Sequence, residues 1–298
     1  MLGMLQVVIG LIFVLLLLSL LATTMMELVA SAFSLRGRNL EKALRNMLAS
    51  TEVDNQLVET FKGNALYKQL SYKYGKKRYS PSYLSDRSFQ SILMDTILKG
   101  EGFEKIEEKL EQLPDADLKD VLRQFLRESE QDTEVFKGKV RTWYNDVMDR
   151  ASGWYKRYTQ KILVGMGFLI AIVFNADTLA IYERLESDPA TLQQVLTLAE
   201  DYVNGKDGLE IAPAQTSPEF DASLAKLEGM VNDQIEAIKS PLGLGWKNVV
   251  WSEVTVYDVL LKLLGWSVTA LAVSLGAPFW FDLLRKLVNI RSSGSKPE

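Results

Sequence analysis

Three long apolar runs constrain the fold of this chain more than any other feature of its sequence. The first extends from Leu2 to Met26 without a charged residue, and two further apolar segments cover residues 162–182 and 254–281. A helix of about 20 apolar residues spans a hydrocarbon core of about 30 Å, because each residue adds about 1.5 Å. The sequence therefore predicts an all-α integral membrane protein with three transmembrane helices.

The first apolar run shares one feature with a secretory signal peptide. Ala30-Ser31-Ala32 resembles a cleavage site, but the basic segment that normally precedes the apolar core of a signal peptide is missing. The apolar run is also longer than such a core. We therefore expect residues 1–35 to remain in the protein as the first transmembrane helix.

The positions of Lys and Arg predict which ends of these helices face the cytoplasm, where such residues are enriched. Residues 183–253 hold thirteen acidic and five basic residues, so we expect an extracytoplasmic cap there. The N-terminus is then outside, and residues 36–161 and 282–298 are cytoplasmic. The basic residues that carry this prediction are Arg36, Arg38, Lys42, Arg45, Lys156, Arg157, Lys161, Arg285, Lys286 and Arg291.

The segments between the apolar runs are predicted to be helical. Residues 36–161 are long enough for one domain, and apolar residues recur there at helical spacing, with Ser85 as an expected helix N-cap. No alternating pattern is long enough to predict a sheet. The cap is expected to hold two amphipathic helices, and a helix beginning at Pro278 is expected to lie along the cytoplasmic interface.

An aromatic and basic stretch leads into the second apolar run without a proline, so one helix is expected to continue into the membrane. Aromatic rings and cations favour the headgroup region, which predicts interface anchors. A second interpretation is that this helix transmits movement from the cytoplasmic domain. The predicted anchors are Trp154, Tyr155, Lys156, Arg157, Tyr158, Lys161, Trp251 and Trp280.

Charged residues within the apolar runs are candidates for pairing or for lining an aqueous path, because an isolated charge in lipid is costly. Asp177 and Lys262 have opposite signs and matching depths, which predicts a contact between them. The alternative is that Asp177 reaches out to the membrane interface. Asp258 lies one turn before Lys262, and Glu27 is a further candidate partner for Arg285.

Four sequence blocks resemble an uncharacterised family of bacterial inner-membrane proteins. The blocks are LRGRNLEKALRNML, PSYLSDRSFQSIL, WYNDVMDRASGWYKR and NADTLAIYERL, within residues 27–190. The resemblance implies a membrane topology and a location in the bacterial inner membrane, and it brings no activity with it. Asn64-Ala65-Leu66 stands where that family more usually has His-Pro-Leu, so no role is assigned to this turn.

The residues that most often carry catalysis and metal binding are missing from this chain. It contains no His and no Cys, which removes imidazole and thiolate chemistry, and it has no phosphate-binding glycine motif. We therefore expect no cofactor, no metal and no enzymatic activity. Nucleic-acid binding is not expected either, because the basic cluster at residues 73–78 is short.

Two functions remain open, and a third is remote. We favour a non-enzymatic anchor whose cytoplasmic domain is presented to a protein partner. The alternative is an oligomeric pore or gated effector with Asp177, Asp258 and Lys262 lining a water-filled path. The remote hypothesis is an intramembrane aspartyl protease. Tyr257-Asp258 resembles one half of the sequence signature of such proteases, but the other half, GxGD, is missing.

Overall fold

A computed structural model describes residues 2–49, 55–74, 77–113, 116–205, 220–246 and 255–294. The described chain is almost entirely helical, which confirms that the fold is all-α. It divides into two compact units, unit 1 with Met1–Ala32 and Tyr158–Glu298, and unit 2 with Phe33–Arg157.

The helices and strands have the following bounds. The helices are α1 (Leu2–Ala32), α2 (Leu35–Leu48), α3 (Asn55–Gly63), α4 (Ala65–Leu70), α5 (Asp86–Leu98), α6 (Ile106–Glu111), α7 (Ala116–Glu128), α8 (Thr133–Val173), α9 (Thr178–Ser187), α10 (Pro189–Asn204), α11 (Phe220–Gly229), α12 (Glu236–Leu242), α13 (Val256–Ser274) and α14 (Ala277–Gly294). Two short strands are β1 (Tyr72–Tyr74) and β2 (Lys77–Tyr79), a 3₁₀ turn covers Phe103–Lys105, and a π-helical turn covers Met230–Ile235.

Unit 2 has its own apolar core, formed by the stripes that helical periodicity predicts. Leu44 on α2 and Phe89 on α5 are fully buried in it, and Phe89 stacks on Tyr144 of α8 with ring centroids 4.5 Å apart. The Tyr144 hydroxyl donates to the carbonyl oxygen of Leu84 at 2.6 Å. Ser85 accepts a hydrogen bond from the Ser88 amide and caps α5, as predicted.

A small antiparallel hairpin in unit 2 was not predicted from the sequence. Strands β1 and β2 pair with Tyr72 opposite Tyr79. Residues 77–79 therefore form a strand. Tyrosine favours extended backbone, and three residues are too short a segment for alternation to show.

Helix α1 lies in the centre of unit 1. Within its most apolar window 72% of the residues are buried by other parts of the protein, whereas the corresponding share in α13 is 22%. Helices α9, α10, α11, α13 and α14 all contact α1. Its apolar side chains therefore form one core with residues from these helices.

Among the described residues, two helices are long and apolar enough to cross a membrane, α1 and α13. The second predicted span is not one straight helix, because α8 ends at Val173 and α9 begins at Thr178 with a bend of 51°. Counting this bent pair as one span gives the predicted three. These helices are typical of a membrane protein.

Helix α14 starts where Pro278 predicts a start, and one of its faces packs against other helices of unit 1. Trp280, Leu284 and Val288 are buried in the core around α1. The Trp280 indole N–H donates to the carbonyl oxygen of Ala272 at 2.7 Å. The Trp280 ring therefore packs against protein, and its place at the membrane interface stays a prediction.

Two contacts join α10 to α14, which the sequence predicts on opposite sides of the membrane. Arg291 Nη1 lies 2.5 Å from Glu200 Oε1, and the rings of Tyr202 and Phe281 are 6.3 Å apart. A hydrocarbon core of about 30 Å would separate an extracytoplasmic α10 from a cytoplasmic α14. Glu200 and Arg291, which the charge count predicts on opposite sides, are thus in contact, and the sides of the membrane on which residues 183–253 and 282–298 lie stay a prediction.

Candidate functional site

The break between α8 and α9 places Asp177 at the start of α9. Asn175 adopts a left-handed conformation with φ of 47°, which ends the preceding helix. Asp177 Oδ1 then accepts from the backbone amides of Leu179 at 2.9 Å and Ala180 at 3.4 Å. A carboxylate suits this position because the first amides of a helix lack partners within the helix. Asp177 is therefore a helix cap.

The structure also brings Asp177 and Lys262 together. Lys262 Nζ lies 3.5 Å from Asp177 Oδ2, as the opposite charges and matching depths predict. The Asp177 side chain is 7% exposed and that of Lys262 is 37% exposed. The carboxylate is therefore held inside unit 1, with a cation that reaches it from the surface of α13.

Two glycines allow the helices around this pair to approach closely. A Cβ atom at Gly265 of α13 would overlap the Asp177 carboxylate. A Cβ at Gly167 of α8 would lie 2.9 Å from the carbonyl oxygen of Ala270. Small residues are typical of closely packed membrane helices, because they let the backbones meet. Gly265 therefore leaves the space that Asp177 occupies.

The backbone groups freed by the helix break are satisfied by neighbouring protein groups. Thr269 Oγ1 lies 2.8 Å from the carbonyl oxygen of Ala176 and accepts from the Thr178 amide at 3.0 Å. The Gly245 amide donates to the Phe174 oxygen at 2.7 Å, and the Trp246 indole N–H donates to the carbonyl oxygen of Ile172 at 3.0 Å. The break therefore resembles a packed joint more than an opening to water.

Asp258 lies apart from this pair and caps a different helix. Its Oδ2 accepts from the Thr255 amide at 2.9 Å and from the Thr255 hydroxyl at 2.6 Å. In the described ranges no hydrogen bond joins Asp258 to Asp177, and no group of three acidic side chains is placed to hold a metal ion. A protease dyad needs two carboxylates that share a proton, and these two each cap a separate helix.

The other predicted positions have mixed outcomes. Glu27 and Arg285 both lie in the part of the chain that the structure describes, where no ion pair joins them, and their pairing stays a prediction. Trp251 lies outside the described residues. The remaining anchors lie on the continuous helix α8, where their interface role stays a prediction; of these, Trp154, Lys156, Arg157, Tyr158 and Lys161 are exposed and Tyr155 is half-buried.

A polar cleft in unit 2 was missed by the sequence analysis. We call it the α2–α4 cleft, and its volume is about 400 Å³. The sequence shows only that Glu41 and Arg45 are four residues apart, and therefore on one face of a helix. Its lining residues are Ser34, Gly37, Arg38, Glu41, Glu59, Lys62, Gly63, Tyr67, Lys68, Ser71, Tyr79 and Ser80.

Glu41 is the centre of a charged network in this cleft. Its carboxylate accepts from Lys62 Nζ at 2.9 Å, from Arg45 Nη2 at 3.0 Å and from the Ser80 hydroxyl at 2.9 Å. Burial acts to raise the pKa of Glu41, but these hydrogen bonds outweigh it and lower the pKa to about 2. Glu41 is therefore a charged carboxylate whose acceptor sites are already occupied.

Comparison with known proteins finds no match to this chain among family models, curated proteins or solved structures. A proposal for function therefore depends on the contacts within the two units. Those contacts define a packed helix joint in unit 1 and a polar cleft in unit 2.

Proposed function

We propose that this chain is an anchor in the bacterial inner membrane that presents unit 2 to a protein partner at the cytoplasmic face. Helix α8 carries the proposal. It has 41 residues and is about 60 Å long at about 1.5 Å per residue. Phe136 and Val140 near its start are buried in the core of unit 2, whereas Ile170 near its end belongs to the core of unit 1. Helix α8 therefore contributes side chains to the core of unit 2 and, further along the chain, to the core of unit 1.

The contacts of unit 1 favour an anchor over a pore. Helix α1 is surrounded by apolar side chains, and the Asp177 carboxylate is occupied by two amides and by Lys262. A conducting path needs polar groups that face water, because ions must be hydrated or coordinated along it. The pore remains the competing proposal, since the Lys262 ammonium is partly exposed.

Labelling of single cysteines tests the presentation of unit 2. The chain has no Cys, so a Ser82→Cys variant can be labelled only at residue 82. Ser82 is exposed on unit 2. We expect a membrane-impermeant maleimide to label this variant in inverted vesicles and not in intact spheroplasts. Labelling in spheroplasts alone would contradict cytoplasmic presentation. The cysteine-free wild-type chain is the matched control.

Ion flux separates the anchor from the pore. Liposomes with the purified full chain are compared with liposomes holding Asp177→Asn or Lys262→Gln. The anchor predicts no flux above that of protein-free liposomes in all three cases. A wild-type flux that either substitution changes would contradict the anchor and support a pore at this position.

A further inference from the structure

The α2–α4 cleft carries more positive than negative charge. Three basic side chains line it, Arg38, Lys62 and Lys68, against the two acidic side chains of Glu41 and Glu59. Both acids are already paired, because Lys62 and Arg45 each contact both of them. Arg38 is exposed at the cleft and takes part in no ion pair among the described residues. The cleft is therefore suited to an anion and not to a cation.

A buried hydroxyl in the same cleft has no hydrogen-bond partner. Tyr67 is 2% exposed, and its hydroxyl is one of few buried polar side-chain atoms in the described ranges without a partner. Burial raises the pKa of Tyr67 and the nearby Ser80 hydroxyl acts to lower it, although the two hydroxyls do not have the geometry of a full hydrogen bond. An unsatisfied buried hydroxyl costs free energy, and an acceptor bound beside it would recover that free energy.

The space and the donors fit one chemical class of ligand. A phosphoryl group has three acceptor oxygens, so it can accept from a phenol, a guanidinium and an ammonium at the same time. About 400 Å³ is within the range of small-molecule sites and exceeds what a phosphate ion needs. We propose that the α2–α4 cleft binds a phosphate-bearing ligand, with the Tyr67 hydroxyl and the Arg38 guanidinium as donors.

This inference goes beyond the anchor function and does not depend on it. Both a lipid headgroup and a soluble phosphate ester carry the required chemistry. The cleft lining begins at Ser34, two residues after the last residue of α1 in the sequence. The experiment therefore tests both sources separately.

The full chain is purified in dodecyl maltoside micelles, which carry no phosphate. One arm adds inorganic phosphate or glycerol 3-phosphate, and the other adds micelles doped with phosphatidic acid, at constant ionic strength. Hydrogen–deuterium exchange of residues 35–48 and 65–70 reports binding. We expect saturable protection of these helices in at least one arm. Protection by the soluble esters assigns a soluble ligand, and protection by the lipid alone assigns a headgroup.

Two substitutions remove the proposed donors one at a time. Tyr67→Phe and Arg38→Gln should each weaken binding about tenfold, because each removes a hydrogen bond that only the ligand satisfies. Tyr67→Phe should also raise the melting temperature of the ligand-free chain, an effect that a purely structural hydroxyl would not produce. Tyr83→Phe and Arg36→Gln are matched controls outside the cleft and should bind like wild type.

Three outcomes would overturn the proposal. The first is a lack of saturable protection in both arms. The second is protection that Tyr67→Phe and Arg38→Gln leave at wild-type strength, since the phosphate would then bind elsewhere. The third is an equal loss in the two control variants, which would indicate non-specific attraction to basic residues.

Discussion

Helices α1 and α13 are both apolar and long enough to cross a membrane, yet the protein surrounds them to different extents. In their most apolar windows 72% of α1 is buried by other helices and only 22% of α13. The more completely apolar helix is therefore the one sheltered by protein. Lipid and protein interior are similarly apolar, so hydropathy identifies both helices without showing which medium each one contacts.

The difference between the two helices lies in their patterns of side chains. Helix α13 has Gly265, Thr269 and Ala270 on its protected face and large apolar residues, such as Leu260 and Leu264, on its exposed face. Helix α1 has large aliphatic residues on all sides, which suits a helix enclosed by five others. Small and hydroxyl residues on one face are thus the better guide to a lipid-facing helix with one packed side.

The largest expected effect comes from truncating one leucine in each helix. Leu16 of α1 is fully buried, and Leu16→Ala should lower the free energy of unfolding by about 2–5 kcal/mol, because it leaves a cavity. Leu264 of α13 is exposed, and Leu264→Ala should cost less than about 1 kcal/mol, because lipid or detergent fills the space. Reversible unfolding in mixed micelles measures both. Equal losses of unfolding free energy in the two variants would contradict the difference between α1 and α13.

The packed face of α13 can be tested at Gly265. Gly265→Ala should lower the free energy of unfolding by about 2 kcal/mol, because the new methyl group displaces the Asp177 carboxylate from its cap and from Lys262. Gly165→Ala on α8 is the matched control, since a Cβ there meets nothing within 4 Å. It should be neutral or stabilising by up to about 1 kcal/mol. Thermal unfolding of both variants in the same micelles decides the outcome.

The polar network of unit 2 should respond to pH, unlike the apolar core around α1. The pKa of Glu41 is lowered from 4.5 to about 2, so its contribution is present above pH 4.5 and is lost as pH falls toward 2. Glu41→Gln should therefore cost about 1–2 kcal/mol at pH 7 and remove that part of the pH dependence. Urea unfolding followed through unit 2 at several pH values measures it. Glu107→Gln, an exposed acid on α6, should match wild type.

The smallest effect concerns the coupling between Asp177 and Lys262. Asparagine also caps helices, so Asp177→Asn removes the charge and keeps the cap. A reversal of the charge at Asp177 would remove the cap as well. A double-mutant cycle with Lys262→Gln should give a coupling of about 1 kcal/mol, because Lys262 is partly exposed. Unfolding of the wild type, both single variants and the double variant supplies the cycle. Additive losses would show that the contact contributes no stability.

Local features of this chain could be predicted from the sequence. The helix cap at Ser85 and the start of α14 near Pro278 depend on neighbouring residues alone. The Asp177–Lys262 contact was predictable because two opposite charges at the same predicted depth in two apolar runs have few other partners.

Features that depend on distant residues could not be predicted. The Glu41 network joins residues that are up to 39 positions apart, namely Glu41, Lys62 and Ser80. No local sequence pattern around any of them indicates that they meet. The contact between Glu200 and Arg291 spans 91 positions, so counting charges near each span could not reveal it. The enclosure of α1 likewise depends on helices from the other end of the sequence.

Lipid-phase photolabelling of the wild-type chain tests the enclosure of α1 most directly. A lipid-soluble diazirine is activated in liposomes that contain the protein, and labelled peptides are mapped by mass spectrometry. The account predicts several-fold more label on residues 256–275 than on residues 12–22, because α13 faces lipid and α1 is surrounded by protein. Equal labelling of the two segments, or more label on residues 12–22, would contradict it.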